Sequence, residues 1–428
     1  MHIAGTRERR SGLAGILMRR GILLFLIATI GFSGERIYAD NSSLAKIIVS
    51  EGYGLARELE YVECAIQLKP GQYEPGTGLA AVESLSGETI PVQLFRVENF
   101  EPDGIVILHV IFPVSISPLE DKEYSLKKIT SESTMPTDLS IKGTGFDRII
   151  ENRFYRADLT RSAQSEAKNH DSGQLRELFI KMGFDVLLFR TENRMHWAPN
   201  FQKLGAKEYE TIAGWDNPKN YRVDAGPYLV MTSRRDQAPD YPEIQLSANY
   251  YFYAGLPWFR FYSAMDITET VWLSLLRNDE MTMDSLFTNV AFKRATGEIV
   301  DLSFAEREQI LDEHPIENDA PWLCFYHSDK GYAFGSIRLK YDTTKESGFT
   351  SPVWMPHTKI SNGADGGKYW NRRLIDDRPT FVPKGSRYVE ENAYLVFRIN
   401  PDDKFAEIER WNMLLKSPLQ VSLGLPEK

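Results

Sequence analysis

Short alternating apolar runs, broken by turn residues, fill the chain beyond its first forty positions. Val62, Cys64, Ile66 and Leu68 alternate with polar or small neighbours before Pro70-Gly71 and Gly76-Thr77-Gly78 interrupt them. Strand side chains point to opposite faces in turn, so this period of two predicts half-buried strands. Further runs at 90–95 and 105–112, separated by Pro102-Asp-Gly104, predict an N-terminal β-sandwich over 44–126. Residues 127–145 are rich in Ser, Thr, Pro and Gly and read as a linker. From 146 to 425 the chain stays β-dense. Positions 177–182 alternate, 243–253 and 258–265 flank Ala254-Gly-Leu-Pro257 as a hairpin, and 390–399 is another strand. Helix signals are few. Ser303 with Glu306 forms a capping box ahead of 305–313, and Phe405, Ile408, Trp411, Leu414 and Leu415 recur at helical spacing. Residues 268–277 also fit a helix. The expected fold class is all-β, with an N-terminal β-sandwich and a large two-sheet β domain over 146–425.

The first 39 residues read as an address. Six arginines against two acids, an apolar run over 21–34 and Ala39 before Asp40 have the order of a secretory signal peptide. The run is shorter than the roughly 20 apolar residues that span a bilayer. The expectation is a periplasmic or extracellular protein with no membrane span after cleavage. Net charge is −9, and −13 over 40–428, which argues against a nucleic-acid partner because such a protein needs a basic face. Two cysteines exclude a disulfide-built scaffold. Cys64 and Cys324 could pair in an oxidising compartment, and buried free thiols are the other reading.

In the stretch 149–181, Asn152, Tyr155, Ala157 and Gly173 stand where a galactose-mutarotase-like β-supersandwich carries an Asn-x-Tyr-x-Ala phrase and a strand-opening glycine. Gly226-Pro-Tyr-Leu-Val230 and Tyr250-Tyr-Phe-Tyr-Ala-Gly-Leu-Pro257 resemble its central strands. The resemblance covers about 146–425 and implies a supersandwich there. It also implies a carbohydrate-active protein of the kind that includes polysaccharide lyases, although the epimerase His, His and Glu arrangement is absent. Function inferred from fold is analogy.

Three groups of residues carry candidate chemistry. If 187–197 is one strand, Arg190, Glu192, Arg194 and His196 share a face, natural in a wet cleft and equally in a solvated strand face. Asn249, Tyr251 and Tyr253 share a face of another strand, where tyrosine could supply a proton or simply pack. His357 and the glycine-rich 362–373, with Lys368, Trp370, Asn371 and Arg372, read as a sugar-binding loop, and His170 as a possible cleft residue. Together they suggest a polysaccharide lyase acting on a uronic-acid glycan by β-elimination. His196 would be the base, Tyr251 or Tyr253 the acid, and Arg190, Arg194 or Arg372 the carboxylate partner. A non-catalytic carbohydrate-binding protein and a glycoside hydrolase are the alternatives. No cofactor or metal is expected. Oxygen ligands in 278–284 could hold Ca²⁺, but the EF-hand spacing is missing and a turn with solvated acids is the expectation.

Overall fold

Strand pairing turns the period-two pattern into four antiparallel sheets. The computed structural model describes residues 39–424, except 101–103, 130–134, 136, 162–172, 192–193, 216–217, 219, 308–309, 312–313, 346 and 363–365. The expected signal peptide lies outside these residues but for Ala39.

Seven strands make the first sheet, in the order Arg57–Leu68, Ile105–Ile116, Thr89–Phe100, Gly78–Glu83, Asp121–Ile129, Ala39–Ser50 and Gln420–Gly424. Thr89–Phe100 pairs first with Gly78–Glu83 and further along with Ile105–Ile116, so the sheet folds over a core that includes Ile47, Val62, Phe112 and Leu126. Its last strand comes from the far end of the chain. Gln420–Gly424, expected in the large domain, instead pairs with Ala39–Ser50.

A nine-stranded sheet follows the order Asn220–Ala225, Leu229–Gln237, Ile244–Tyr253, Trp258–Ile267, Arg387–Arg398, Tyr332–Asp342, Trp322–Tyr326, Asn289–Lys293 and Ile299–Ser303. Against one face pack a seven-stranded sheet centred on Val271–Met283 and Lys368–Ile375 and a five-stranded sheet running from Val186–Phe189 to Ser140–Thr144. Alternation along Ile244–Tyr253 sets the layers. Tyr250 and Phe252 enter the core between the sheets, while Tyr251 and Tyr253 lie on the opposite face. Part of that opposite face is covered by the helix Ala406–Lys416, which buries Ile408, Trp411 and Leu414 against it. It is the one complete α-helix among the described residues. None of the described helices is long and apolar enough to cross a membrane.

The N-terminal sheet covers a neighbouring part of the same face. Gln93 accepts from the backbone N–H groups of Tyr228 and Leu229 at 2.8 and 2.9 Å and donates to the Leu229 carbonyl at 2.9 Å. A Cβ at Gly226 would meet the Gln93 amide at 2.3 Å, so glycine permits this approach. Tyr61 stacks on Tyr253 and donates to the Ala254 carbonyl at 3.0 Å.

Two local expectations change, and one open alternative is resolved. Most of 268–277 belongs to the strand Val271–Met283, with 268–270 ahead of it: Val271, Leu273 and Leu275 are buried, whereas Trp272 is exposed. The adjacent pair Leu275 and Leu276, buried on opposite faces, imitated helical spacing. Part of the expected linker, Ser140–Thr144, is an edge strand of the five-stranded sheet. Cys64 and Cys324 are both free thiols, the first partly buried and the second buried.

Candidate functional site

The arginine and histidine row expected over 187–197 does not form, because the strand ends at Phe189. Arg190 pairs with Asp284 at 3.0 Å. Arg194 is fully buried and donates to the Thr160 and Gln174 carbonyls, both at 3.1 Å. His196 sits in a single bridge to Met281 and is fully buried between the sheets. Burial pushes its pKa down to about 3. A neutral imidazole sealed in the core cannot reach a polymeric substrate, so His196 is not placed to act as the expected base. Glu192 and His170 lie outside the described residues.

The 362–373 loop is equally displaced. Lys368–Ile375 is a strand paired with His357–Asn362, which leaves only 363–367 as the connection. Trp370 is buried, stacked near Phe334, and donates its Nε1–H to Asp279 at 3.1 Å. Asn371 is buried on the other face, and Arg372 forms an ion pair with Glu390 in the core. Lys368 lies over the Phe304 ring, and His357 donates from Nδ1 to the Met355 carbonyl at 2.7 Å. The acids of 278–284 are not a solvated turn. Asp279 and Glu280 are buried in the strand Val271–Met283, and Asp279 accepts from Trp370, Tyr394 and Ser336. Glu280 is held by Arg277 and Asn200 instead. No group of three or more His, Cys, Asp or Glu among the described residues is placed to hold a metal.

The tyrosine strand leads to the accessible site. Register sets Arg222, Ser233, Asn249, Tyr262 and Glu391 in one line across five strands, on the face away from the core. The next line holds Asp224, Met231, Tyr251 and Arg260, and the line on the other side holds Asn220, Arg235 and Ser247. A cleft of about 510 Å³ opens over this surface, closed on one side by Arg96 from the N-terminal sheet. Arg96 pairs with Glu98 at 2.9 Å, and Arg222 pairs with Asp224 at 2.6 Å while donating to the Phe95 carbonyl at 3.2 Å. Arg235 is exposed, and its side chain has no ion pair or hydrogen bond among the described residues. The rim is therefore cationic in an acidic chain.

Tyr251 stands at the inner end. Its phenol oxygen accepts from Asn249 Nδ2 at 3.4 Å, and the Arg260 guanidinium lies 4.7 Å from its ring centre. Burial raises its pKa despite the opposing Arg260 charge, so the hydroxyl keeps its proton at neutral pH. Tyr253, the other expected acid, is buried and donates to Glu63 at 2.7 Å, out of the cleft. Arg260 is gripped from two sides, by Glu63 at 3.0 and 3.2 Å and by Glu391 at 3.4 Å. Burial opposes its charge, but Tyr253, Glu63 and Glu391 outweigh that and hold its pKa above the ordinary arginine value. Sequence reading found Tyr251 and Asn249 but missed Arg96, Arg222, Arg235, Arg260, Glu63 and Glu391. The Tyr221-Arg222 and Arg234-Arg235 doublets were the available signals, and only strand register brings them beside Asn249.

No protein-family model and no curated protein matches the sequence. Among solved structures, a protein in the glycosyl hydrolase family 38 from Enterococcus faecalis matches with a TM-score of 0.52 and 9% identity, over 89% of this chain and 47% of that one. An alpha-mannosidase from Enterococcus faecalis V583 gives 0.53 and 9%, over 90% and 47%. A galactose mutarotase-like protein from Lactobacillus casei gives 0.34 and 11%, over 58% and 99%. This chain spans about half the length of the first two, and its likeness to them is one of fold.

Proposed function

We propose that the protein is an exported carbohydrate-active enzyme that binds a uronic-acid-containing glycan in the Arg96–Arg222–Arg235 cleft and cleaves it by β-elimination. The observation that carries this reading is the unpaired Arg235 on a cationic rim beside Tyr251, in a chain of net charge −9. A guanidinium binds a carboxylate with two parallel hydrogen bonds and neutralises it, which acidifies the neighbouring C–H. A general base at the cleft takes that proton, the C–H electron pair forms the new double bond, and the C–O bond breaks. Tyr251 gives its hydroxyl proton to the departing oxygen. The fold shared with glycosyl hydrolases is compatible with a sugar substrate, and an acidic partner follows from the cationic rim.

Glu63 and Glu391 on either side of Arg260 favour a second reading, a glycoside hydrolase with two carboxylates. A glycan panel separates the readings. A lyase produces unsaturated uronate absorbance, a hydrolase produces reducing ends without it, and a binding protein produces neither while retaining ligand. Arg235→Ala is expected to weaken binding of the acidic glycan about 10-fold or more and to flatten its salt dependence. Unchanged affinity by calorimetry would remove Arg235 from the site.

Export predicts a mature chain beginning near Asp40. N-terminal sequencing of protein from the native cell envelope or medium checks this, and a retained Met1 would count against it.

A further inference from the structure

One cation sits between the N-terminal sheet and the tyrosine at the inner end of the cleft. Tyr251 and Arg260 are directly opposed on neighbouring strands of the nine-stranded sheet, on the face away from the core. Side chains of an opposed pair share a face and lie within reach of each other. The guanidinium of Arg260 stands over the Tyr251 ring, 4.7 Å from its centre, and over the Tyr253 ring at 5.4 Å. A cation over the electron-rich face of a phenol is attracted to it, more strongly where water is partly excluded.

Two carboxylates keep Arg260 in this position. Its Nη2 donates to both oxygens of Glu63, at 3.0 and 3.2 Å, and its Nη1 meets Glu391 at 3.4 Å. Glu63 belongs to Arg57–Leu68 of the N-terminal sheet and is itself held by the Tyr253 hydroxyl at 2.7 Å. Glu391 lies on the strand next to Arg260 in the nine-stranded sheet. The grip therefore joins three strands from two sheets. At the far end of the ring the Tyr251 oxygen accepts from Asn249 at 3.4 Å, so both the ring and its hydroxyl are held.

We propose that Arg260 is a positioning residue for Tyr251: it holds the phenol at the cleft and favours its ionised form. Glu63, from the N-terminal sheet, sets how much of the Arg260 charge the phenol meets. The catalytic consequence rests on the reading of Tyr251 as the proton donor. When the phenol gives up its proton, negative charge appears on its oxygen, and a cation already in place stabilises that charge without rearrangement. Burial works against ionisation and raises the Tyr251 pKa. The Arg260 charge is the largest influence opposing burial, helped by the Asn249 hydrogen bond, while the Glu63 and Glu391 charges side with burial. A cation bound to two carboxylates also staples the two sheets together. A staple alone would not make the Tyr251 phenol respond in opposite directions to loss of the cation and loss of the anion.

A difluorotyrosine installed at position 251 of the full chain, read by fluorine NMR, reports the ionisation of that phenol without any substrate. Arg260→Met is expected to raise the titration midpoint by about one pH unit or more, and Glu63→Gln to lower it. The first removes a cation from beside the ring and the second an anion. Arg260→Lys keeps a cation and should stay nearer to wild type than Arg260→Met. Midpoints that do not move, or that move the same way in Arg260→Met and Glu63→Gln, overturn the proposal. Glu63→Gln against wild type decides it alone should Arg260→Met not fold. With a glycan that the wild type turns over, Arg260→Met should lower kcat by about 10-fold or more and leave KM within a few-fold. A loss confined to KM would make Arg260 a substrate-binding residue and overturn the positioning role. If no glycan is turned over, the lyase reading fails, while the titration still decides whether Arg260 and Glu63 set the acidity of Tyr251.

Discussion

Tyr251→Phe is expected to lower turnover of the acidic glycan by about 10²–10⁴-fold while leaving its affinity within a few-fold of wild type. The substitution keeps the ring, and with it the contact to Arg260 at 4.7 Å, and removes only the hydroxyl. Asn249 donates to that oxygen at 3.4 Å, which leaves the phenol hydrogen for a ligand. Because burial raises the Tyr251 pKa above its ordinary value, the acid form persists beyond pH 10. The pH–rate profile should therefore show no alkaline fall near pH 10 arising from this group. Steady-state kinetics with matched binding measurements decide the matter. A loss confined to KM would make Tyr251 a binding residue, and activity within a few-fold of wild type would move the acid elsewhere in the cleft. The companion Tyr253→Phe loses a hydrogen bond to Glu63 that ties the N-terminal sheet to the nine-stranded sheet. Its effect should fall on stability.

What could be read from the chain depended on whether the information was local. Alternation in Ile244–Tyr253 and Trp258–Ile267, and helical spacing from Phe405 to Leu414, are properties of adjacent residues, and all three elements form where expected. Asn152 illustrates a phrase with a physical basis. Its side chain accepts from the Phe154 and Tyr155 N–H groups and donates to the Tyr253 and Leu256 carbonyls, which joins the five-stranded sheet to the central hairpin. The site was harder. Residue type suggested that Arg194, His196, Trp370 and Arg372 face water, because charged residues are rarely buried without partners. In this fold the partners lie far away in sequence: Tyr250 and Tyr394 for His196, Glu390 for Arg372. A polar core assembled from distant strands looks, along the chain, like an exposed cleft. Conversely, Arg235 and Asn249 gained meaning only through sheet register. The same blindness explains 278–284, where buried acids serve the core.

His196→Ala is expected to cost about 2–5 kcal/mol of stability, through the cavity it opens and the hydrogen bonds it leaves unmade. The imidazole packs edge-on to Phe261 with ring centres 4.5 Å apart, and Nδ1 meets the Tyr250 hydroxyl. Tyr250 donates onward to Gln174 at 2.6 Å, so the consistent tautomer carries its proton on Nδ1 and gives it to the Tyr250 oxygen. Tyr394 spends its own proton on Asp279 at 2.9 Å, leaving a 3.4 Å contact with Nε2. The ring is neutral, and its folded-state pKa of about 3 lies below the ordinary value of 6.5. This depression sets the sign of the pH dependence. Above pH 6.5 neither state binds the proton and the contribution of His196 is complete. As pH falls from 6.5 toward 3 the unfolded chain takes up a proton that the folded chain refuses, so stability declines by up to about 1.4 kcal/mol per pH unit. Between pH 6.5 and 5 the loss from this residue should approach about 2 kcal/mol, before most carboxylates titrate. Denaturant titrations across that window should show a shallower slope in His196→Phe, whatever that substitution costs at pH 7. A pH dependence identical to wild type would mean that His196 is protonated in the fold. Turnover by the folded fraction of His196→Ala should remain within a few-fold of wild type at low temperature, since the residue is buried in the core and does not line the cleft.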